Sequence, residues 1–330
     1  MFRLIKVIIW IIAWLCTAVL AFWSLGAIYY DFPIAQLQAI AAILFILLVF
    51  SFLFFLRPIV GKLAAIVCLC TAITGWWFTL EPTNNANWQP DVAETASAEV
   101  NGDVVTVHNV RNCEYRTEND YTPRWETRVV RLSQLNGMDI AITYWGSRWI
   151  AHPIVSFDFS DSLPLCFSIE TRKRVGQKYS ELRAFYRQYT LTYVVADEHD
   201  SIRVRSNYRK GEDVYLYRLI VSPERARARF LEYVNTVNSL HLRPRWYNAV
   251  TTNCTTSIRT QSAASDRIPW DWRILVNGKA DEMLYERHQI KTGGLSFAEL
   301  KRRSWINPAA QAANDDPNFS ALIRTDLPYR

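Results

Sequence analysis

Three long stretches near the N-terminus contain no charged side chain. They cover residues 7–30, 32–56 and 63–80. As a helix, each stretch is long enough to cross about 30 Å of hydrocarbon. The first is longer than the apolar core of a signal peptide, which has about 7–15 residues. We therefore predict three transmembrane helices over residues 1–80, with a removable signal peptide as the alternative for the first.

Basic residues at the ends of these stretches predict the orientation of the anchor. Arg3 and Lys6 precede the first stretch. Arg57 and Lys62 lie between the second and the third, whereas the loop around Asp31 has no basic residue. Because Lys and Arg in short loops remain on the cytoplasmic side, the N-terminus is predicted inside. Everything after residue 80 is then outside.

The pattern changes after the anchor. Residues 81–103 are polar and rich in Asn, Ala, Thr and Pro, which predicts a linker. A domain over residues 104–330 follows. Runs with alternating or β-branched residues predict seven strands in it, at 104–110, 125–132, 140–144, 150–159, 163–170, 190–196 and 214–221.

Helical periodicity occurs at three places in this domain. The first is residues 179–189. The second follows Ser222, a suitable N-cap before Pro223, and has an apolar face of Ala226, Phe230, Val234 and Val237. The third begins near Cys254 and reaches residue 264, and from Asp271 onward we expect irregular chain with short helices. The predicted class is α+β with a largely antiparallel sheet.

Charge and cysteine content limit the function classes. Residues 82–330 hold 33 basic and 29 acidic residues, a net charge of only +4, so nucleic acid is not an expected partner. This part of the chain contains Cys113, Cys166 and Cys254. The number is odd, so at least one thiol is unpaired in a compartment that oxidises thiols. A bridge between Cys113 and Cys166 would leave Cys254 free, but the pairing stays open.

Common catalytic motifs are absent from the sequence. It contains no G-x-G-x-x-G, P-loop, H-E-x-x-H or G-x-S-x-G motif and no paired C-x-x-C. Nucleotide-binding, zinc-protease and hydrolase-elbow functions therefore lack support. We expect neither a metal nor an organic cofactor.

The segment 251–256, with the sequence TTNCTT, places Cys254 at a predicted loop-to-helix junction. The positive end of a helix dipole stabilises a thiolate, so this position favours a reactive cysteine. The alternative is that Cys254 is a small buried residue and Thr255 a helix cap.

His152 is the candidate base, because it is the only histidine in an otherwise apolar predicted strand. If the strands before and after Asp161 form a hairpin, the numbers of opposed residues sum to 322, and His152 faces Glu170. A turn displaced by one residue would make Ser168 the partner instead. Cysteine, histidine and an orienting polar group form the set needed for cysteine acyl transfer. The alternative is a structural histidine.

Several motifs together resemble a known family. They are RWETR at 124–128, YWG at 144–146, His152, FSIETR at 167–172, YVVADE at 193–198, DVYLY at 213–217, and YN at 247–248 with NCTT at 253–256. This set resembles the periplasmic domain family of bacterial lipoprotein N-acyltransferase B. The order of histidine, polar residue and Asn-Cys is also similar to circularly permuted papain-like cysteine acyltransferases.

The resemblance implies a circularly permuted papain-like domain with an antiparallel sheet, in the periplasm and anchored in the bacterial inner membrane. It implies that Cys254 is the nucleophile, His152 the base and Glu170 its orienting group. Further candidates for binding substrate are Tyr144 and Trp145 in an acyl groove, Arg172 at a phospholipid headgroup, and Ser168 and Asn253.

The expected function is a membrane-anchored cysteine acyltransferase. It would move an acyl chain from a membrane phospholipid through a thioester to an amine, such as the N-terminus of a lipoprotein. Two alternatives stay open: an envelope cysteine peptidase or amidase, which would use water as acceptor, and a non-catalytic binding module of the envelope. The sequence leaves donor, acceptor and oligomeric state open.

Overall fold

The computed structural model describes residues 2–252, 254–261, 267, 269–274 and 276–328. The chain forms two compact units. The first, called the helical unit, contains Met1–Thr83, Tyr179–Thr190 and Trp246–Ala249. The second, called the sheet unit, contains the rest of the chain.

The helical unit contains three long helices, α1 (Phe2–Asp31), α2 (Gln38–Phe55) and α3 (Ile59–Phe78). All three are long and apolar enough to cross a membrane, as the sequence predicts. Large side chains such as Phe22 and Phe54 point away from the unit and are 72% and 87% exposed. Apolar side chains that cover the outside of a helix bundle require an apolar solvent, which a bilayer provides.

Residues 179–189 do not form the predicted helix; they contain only a short 3₁₀ turn at Arg183–Phe185. The polar groups at the end of this segment bond to α1 instead. Asp31 accepts hydrogen bonds from the backbone N–H of Arg187 (3.0 Å) and from the side chain of Gln188 (2.7 Å). The prediction is wrong here because these bonds to α1 stabilise a non-helical backbone, whereas periodicity reports only local preference.

The sheet unit contains an eight-stranded, mostly antiparallel sheet in the order β1-β2-β9-β8-β7-β6-β10, with β5 also paired to β2. The small hairpin β3–β4 lies apart from it. The strands are β1 (Ser97–Asn101), β2 (Val104–Arg111), β3 (Glu114–Tyr115), β4 (Tyr121–Thr122), β5 (Trp125–Arg131), β6 (Leu135–Trp145), β7 (Ala151–Phe159), β8 (Leu165–Arg172), β9 (Thr190–Asp197) and β10 (Glu212–Arg218). All seven predicted strands are present.

Strand β1 lies inside the segment 81–103 that was predicted as a linker. It pairs with β2 from Ser97↔His108 to Asn101↔Val104. The sequence pattern misses it because only Ala98 of its five residues is buried, so the strand has no alternation of apolar and polar residues.

Helices of the sheet unit cover the two faces of the sheet. They are α4 (Glu198–Ser201), α5 (Pro223–Leu242), α6 (Cys254–Gln261), α7 (Ala280–Glu286), α8 (Phe297–Arg303), α9 (Asn307–Ala312) and α10 (Phe319–Leu322). Helix α5 begins as predicted, since Ser222 accepts a hydrogen bond from the N–H of Arg225. Its predicted apolar face is buried, and Phe230 packs against Phe157 of β7 with ring centroids 5.1 Å apart. The short helices after Asp271 are also as predicted.

The opposite face of the sheet is covered by the C-terminal helices. Ile154 and Cys166 of the sheet pack there with Ile306 and Phe319. Cys113 lies in a different cluster. Both cysteines, like Cys254, are buried free thiols, so the structure contains no bridge between Cys113 and Cys166.

A buried ion cluster ties the segment after α10 to β6 and α4 and predicts the first mutational effect. Arg324 donates hydrogen bonds to Asp139 (3.0 Å) and to Glu198 (2.7 Å), and both carboxylates are buried. Arg324→Ala leaves two buried charges without their main partner and is expected to lower the free energy of unfolding by about 3–5 kcal/mol. Chemical denaturation of the detergent-purified protein measures this loss.

The matched control is Arg302→Ala, because the Arg302 side chain is 75% exposed on α8. Exposed substitutions change the free energy of unfolding by about 0.5 kcal/mol or less. Equal effects of the two variants would contradict a structural role for the buried cluster.

Candidate functional site

The hairpin β7–β8 has the register that the sequence predicts. Ile154 pairs with Ser168 and Val155 with Phe167, so the numbers of each pair sum to 322. Continued by two residues, this register places His152 opposite Glu170 on the same face of the sheet.

His152 contacts both of its predicted partners through one ring nitrogen. Its Nε2 lies 2.8 Å from Ser168 Oγ and 3.2 Å from Glu170 Oε1. The Ser168 hydroxyl in turn donates to Glu170 Oε1 at 2.6 Å. Arg205, on the π-helical turn Val204–Tyr208, donates to the same oxygen at 2.7 Å. The carboxylate therefore receives donors from three sides.

Opposing effects set the charges of this cluster. Burial raises the pKa of Glu170, but the positive charges of His152 and Arg205 outweigh it and hold that pKa well below its usual value. Burial lowers the pKa of His152, but the carboxylate of Glu170 outweighs it and the net pKa is raised. Glu170 is thus an ionised carboxylate, and His152 holds a proton more tightly than a free imidazole.

Cys254 is the first residue of α6, as predicted, and its side chain is buried. Its thiol forms a hydrogen bond with His152, and Asn277 Nδ2 donates to Sγ at 3.4 Å. Burial raises the pKa of Cys254, but the hydrogen bond and charge of His152 outweigh it, and the net pKa is lowered. The structure thus joins the three residues Cys254, His152 and Glu170 in one hydrogen-bonded cluster.

Asn277 is a site residue that the sequence analysis missed. Its Oδ1 accepts the backbone N–H of Ala151 at 2.9 Å, while its amide nitrogen contacts the thiol. One side chain therefore links the first residue of β7 to the first residue of α6. The neighbouring Gly278 N–H donates to Trp149 O at 3.0 Å, and a Cβ there would come within 2.3 Å of the Trp149 carbonyl carbon. The Asn-Gly pair predicts only a turn.

A cavity of about 640 Å³ lies beside α6, and we call it the α6 cavity. Pro153 and Thr255 line it, whereas His152 and Cys254 are not among its lining residues. Among the described residues, Tyr144 and Trp145 do not line it either. The Tyr144 ring packs 4.0 Å from Lys301 Nζ, and Trp145 is 40% exposed at the end of β6.

Arg172 does not suit the predicted contact with a headgroup. It is buried, its guanidinium donates to Val92 O (2.8 Å) and Asn84 Oδ1 (2.9 Å), and it lies over the Trp88 ring at 4.4 Å. Arg172 is the last residue of β8, and its guanidinium is held by Val92 and Asn84, so this geometry gives the predicted headgroup contact no support. Ser168 is also buried and bonds to His152 and Glu170 rather than facing a substrate. Asn253 lies outside the described residues.

Within the described part of the chain, no group of His, Cys, Asp and Glu side chains is arranged to hold a metal ion. The side chains at the site are those of a thiol, an imidazole, a carboxylate, a guanidinium and an amide. Such a set provides a nucleophile, a base and hydrogen-bond donors.

The lowered pKa of Cys254 predicts a pH profile for its alkylation. In the wild type, the rate of labelling by iodoacetamide should rise with pH around a midpoint below the usual thiol value of about 8.5. His152→Ala removes the stabilising cation but leaves the burial, so the midpoint should move to higher pH. Peptide mass spectrometry quantifies labelling at Cys254 separately from Cys113 and Cys166. Equal midpoints in both proteins would disprove the coupling of the two groups.

One family of known proteins matches this chain. Residues 121–278 match the family model described as Lnb N-terminal periplasmic domain. The matched range includes His152, Glu170, Cys254 and Asn277. Neither the curated proteins nor the solved structures contain a significant match. A periplasmic domain together with three membrane-capable helices fits a membrane protein with a periplasmic domain. The family resemblance is confirmed: the family whose model matches residues 121–278 is the one that the sequence motifs resemble.

Proposed function

We propose that this protein is a membrane-anchored cysteine acyltransferase that moves an acyl chain from a phospholipid to an amine through a thioester on Cys254. The observation that carries the proposal is the hydrogen-bonded cluster of Cys254, His152, Ser168 and Glu170 at the start of α6. A buried thiol with a lowered pKa beside an oriented imidazole is the arrangement of an activated nucleophile.

The hydrogen bonds of His152 indicate which ring nitrogen carries the proton before the reaction begins. Ser168 and Glu170 both lie at Nε2 of His152, so the neutral ring carries its proton there. The lone pair of Nδ1 is then the base that accepts the proton of Cys254. Arg205 keeps Glu170 ionised, and Glu170 stabilises the imidazolium that forms.

In the first half-reaction the thiolate attacks the ester carbonyl and forms the C–S bond. The carbon–oxygen bond of the ester breaks, and the departing alkoxide takes the proton from the imidazolium. In the second half-reaction an amine attacks the thioester, His152 accepts its proton, and the thiolate leaves to give the amide. Asn277 Nδ2, 3.4 Å from Sγ, is placed to donate to the oxyanion of both tetrahedral intermediates.

The rival functions differ in what they require of the site. A cysteine peptidase or amidase would use the same groups with water as acceptor. The three membrane-capable helices support transfer from a membrane lipid instead, because they keep the protein in contact with such a donor. A binding module requires no contact between Cys254 and His152, and their hydrogen bond therefore supports the enzyme.

An acyl adduct on Cys254 tests the proposal directly. Intact-mass analysis of protein purified from membranes should show an added acyl mass that neutral hydroxylamine removes. Cys254→Ala should show no adduct. In an acyl-transfer assay, Glu170→Gln should lose on the order of tenfold to a thousandfold in rate, because it orients the imidazolium without attacking the substrate. Full activity of Cys254→Ala would refute the cysteine mechanism.

Asn277→Ala separates oxyanion stabilisation from fold. Loss of one such donor should lower kcat by about 10²–10³-fold and change KM little, because the bond is made in the transition state. The pH midpoint of Cys254 alkylation should rise, since the Asn277 hydrogen bond lowers the pKa of the thiol. Lys279→Ala on the same turn is the control, and it should retain activity. An unchanged kcat in Asn277→Ala would show that the amide only holds β7.

A further inference from the structure

The segment Tyr179–Thr190 belongs to the helical unit, although it is far from the three long helices in the sequence. Its Tyr186 side chain is buried and lies so close to Gly26 of α1 that a Cβ at Gly26 would overlap the tyrosine ring. The same ring stacks on Trp23 with centroids 6.4 Å apart. Because Gly26 lies about 7 Å before the end of α1, the segment packs beside the last turns of this helix.

Helix α3 indicates where the lipid boundary lies relative to this segment. The helix has 20 residues, so its length of about 30 Å equals the thickness of the hydrocarbon core. Its last turn, which contains Trp77, is therefore expected at the boundary between hydrocarbon and headgroups. The Trp77 ring contacts Trp23 with centroids 5.1 Å apart, and the guanidinium of Arg187 lies 4.2 Å from the Trp77 ring centroid. Tyr186 and Arg187 thus lie at the depth of this boundary.

The backbone of the segment meets the main condition for contact with lipid, where an unpaired N–H group is costly. Four consecutive N–H groups have acceptors within the helical unit: Ala184 donates to Ser180 O (3.0 Å), Phe185 to Leu182 O (3.3 Å), Tyr186 to Arg183 O (3.0 Å) and Arg187 to Asp31 Oδ2 (3.0 Å). These donors need no water, so the short 3₁₀ turn is compatible with an apolar environment.

Two large apolar side chains of the segment are exposed. Leu182 and Phe185 are 52% and 44% exposed. They are three residues apart at the 3₁₀ turn, where positions i and i+3 lie on the same face. At the ends of α1 and α3, Tyr29 and Phe78 are exposed as well. The apolar outer surface of the long helices therefore continues onto the segment.

The segment is also bonded to the chain that leads to the reactive cysteine. The N–H of Ala249 donates to Ala184 O, and the N–H of Tyr247 donates to Tyr189 O, both at 2.9 Å. Cys254 follows Ala249 by five positions in the sequence. The helical unit thus holds the backbone just before the nucleophile loop.

We propose that the segment 179–189 is a membrane-binding loop, with Leu182 and Phe185 inserted into the lipid–water interface. Lipid is the partner because the surface of the segment is continuous with that of the three membrane-capable helices. Arg183, whose guanidinium lies 5.8 Å from the Tyr30 ring centroid, is suited to the phosphates of the headgroup layer. The inference goes beyond the proposed function, because lipid insertion requires no catalysis.

Photocrosslinking of the full chain in phosphatidylcholine nanodiscs tests the inference. The photoreactive residue p-benzoylphenylalanine replaces Leu182 or Phe185, one position at a time. Mass spectrometry should find lipid attached at both positions, as at Phe54 of α2, which is 87% exposed. Val129 is the matched control, because it is an apolar residue of β5 that is 55% exposed and belongs to the sheet unit. Its replacement should lose the lipid product.

Gly26→Leu tests whether packing against α1 sets the position of the loop. The new side chain would displace Tyr186, whereas leucine favours a helix over glycine, so α1 itself should remain intact. The lipid product at position 185 should be lost. Gly75→Leu on α3 is the control, since a Cβ there would meet no atom within 4 Å, and it should retain the product. Equal products in the two variants would contradict the packing against α1.

Three further outcomes decide the inference. A lack of lipid product at Leu182 and Phe185, while Phe54 forms one, would overturn it. A crosslink to a second protein chain in place of lipid would overturn it as well, and so would an equal lipid product at Val129.

The result is independent of the acyltransferase chemistry. Cys254→Ala should form the lipid product at Leu182 and Phe185 unchanged, because insertion needs no thiol. A specific lipid product without an acyl adduct on wild-type Cys254 would uphold the membrane-binding loop and refute the acyltransferase. An acyl adduct without lipid product at the two loop positions would uphold the acyltransferase and refute the loop.

Discussion

The negative charge of Glu170 is the constraint on which the rest of the site depends. A buried carboxylate is unfavourable unless cations and donors surround it, and here Arg205, Ser168 and His152 all lie against one oxygen. Once Glu170 is ionised, it raises the pKa of His152, and the imidazolium lowers that of Cys254. Glu170 therefore stabilises the thiolate of Cys254 indirectly, through the charge of His152.

These electrostatic effects depend on short distances among Glu170, His152 and Cys254. Residues that are distant in the sequence hold these side chains in place. Arg205 comes from the π-helical turn that follows α4, and Asn277 comes from a turn just before α7. Asn277 bonds to Ala151 and Cys254 with the two ends of one amide, so the strand with the base and the helix with the thiol cannot move apart without breaking it. A residue from the C-terminal part of the chain, where only irregular chain with short helices was expected, thus completes the site.

The sequence predicted those parts of the structure that depend on residues close to one another in the chain. Alternation of residues gave the strands, a turn near Asp161 gave the register of His152 and Glu170, and the cap at Ser222 gave the start of α5. Neighbours distant in sequence were not predictable. The contact of Asn277 with Cys254 spans 23 positions, and nothing in the composition around Arg205 indicates a buried partner. The contacts of Arg172 were not predictable for the same reason, since its partners Val92 and Asn84 belong to a segment expected to be a linker.

Burial of the thiol links the electrostatics of the site to the choice between transfer and hydrolysis. Cys254 is only 7% exposed, and the adjoining α6 cavity has mainly apolar walls. In the proposed acyltransferase, a thioester on this buried residue has little contact with water, which favours a bound amine over water as the acceptor. The same burial disfavours the thiolate needed to form the thioester. His152 and Glu170 offset that cost, so the charged cluster makes it feasible for a buried cysteine to form a thiolate.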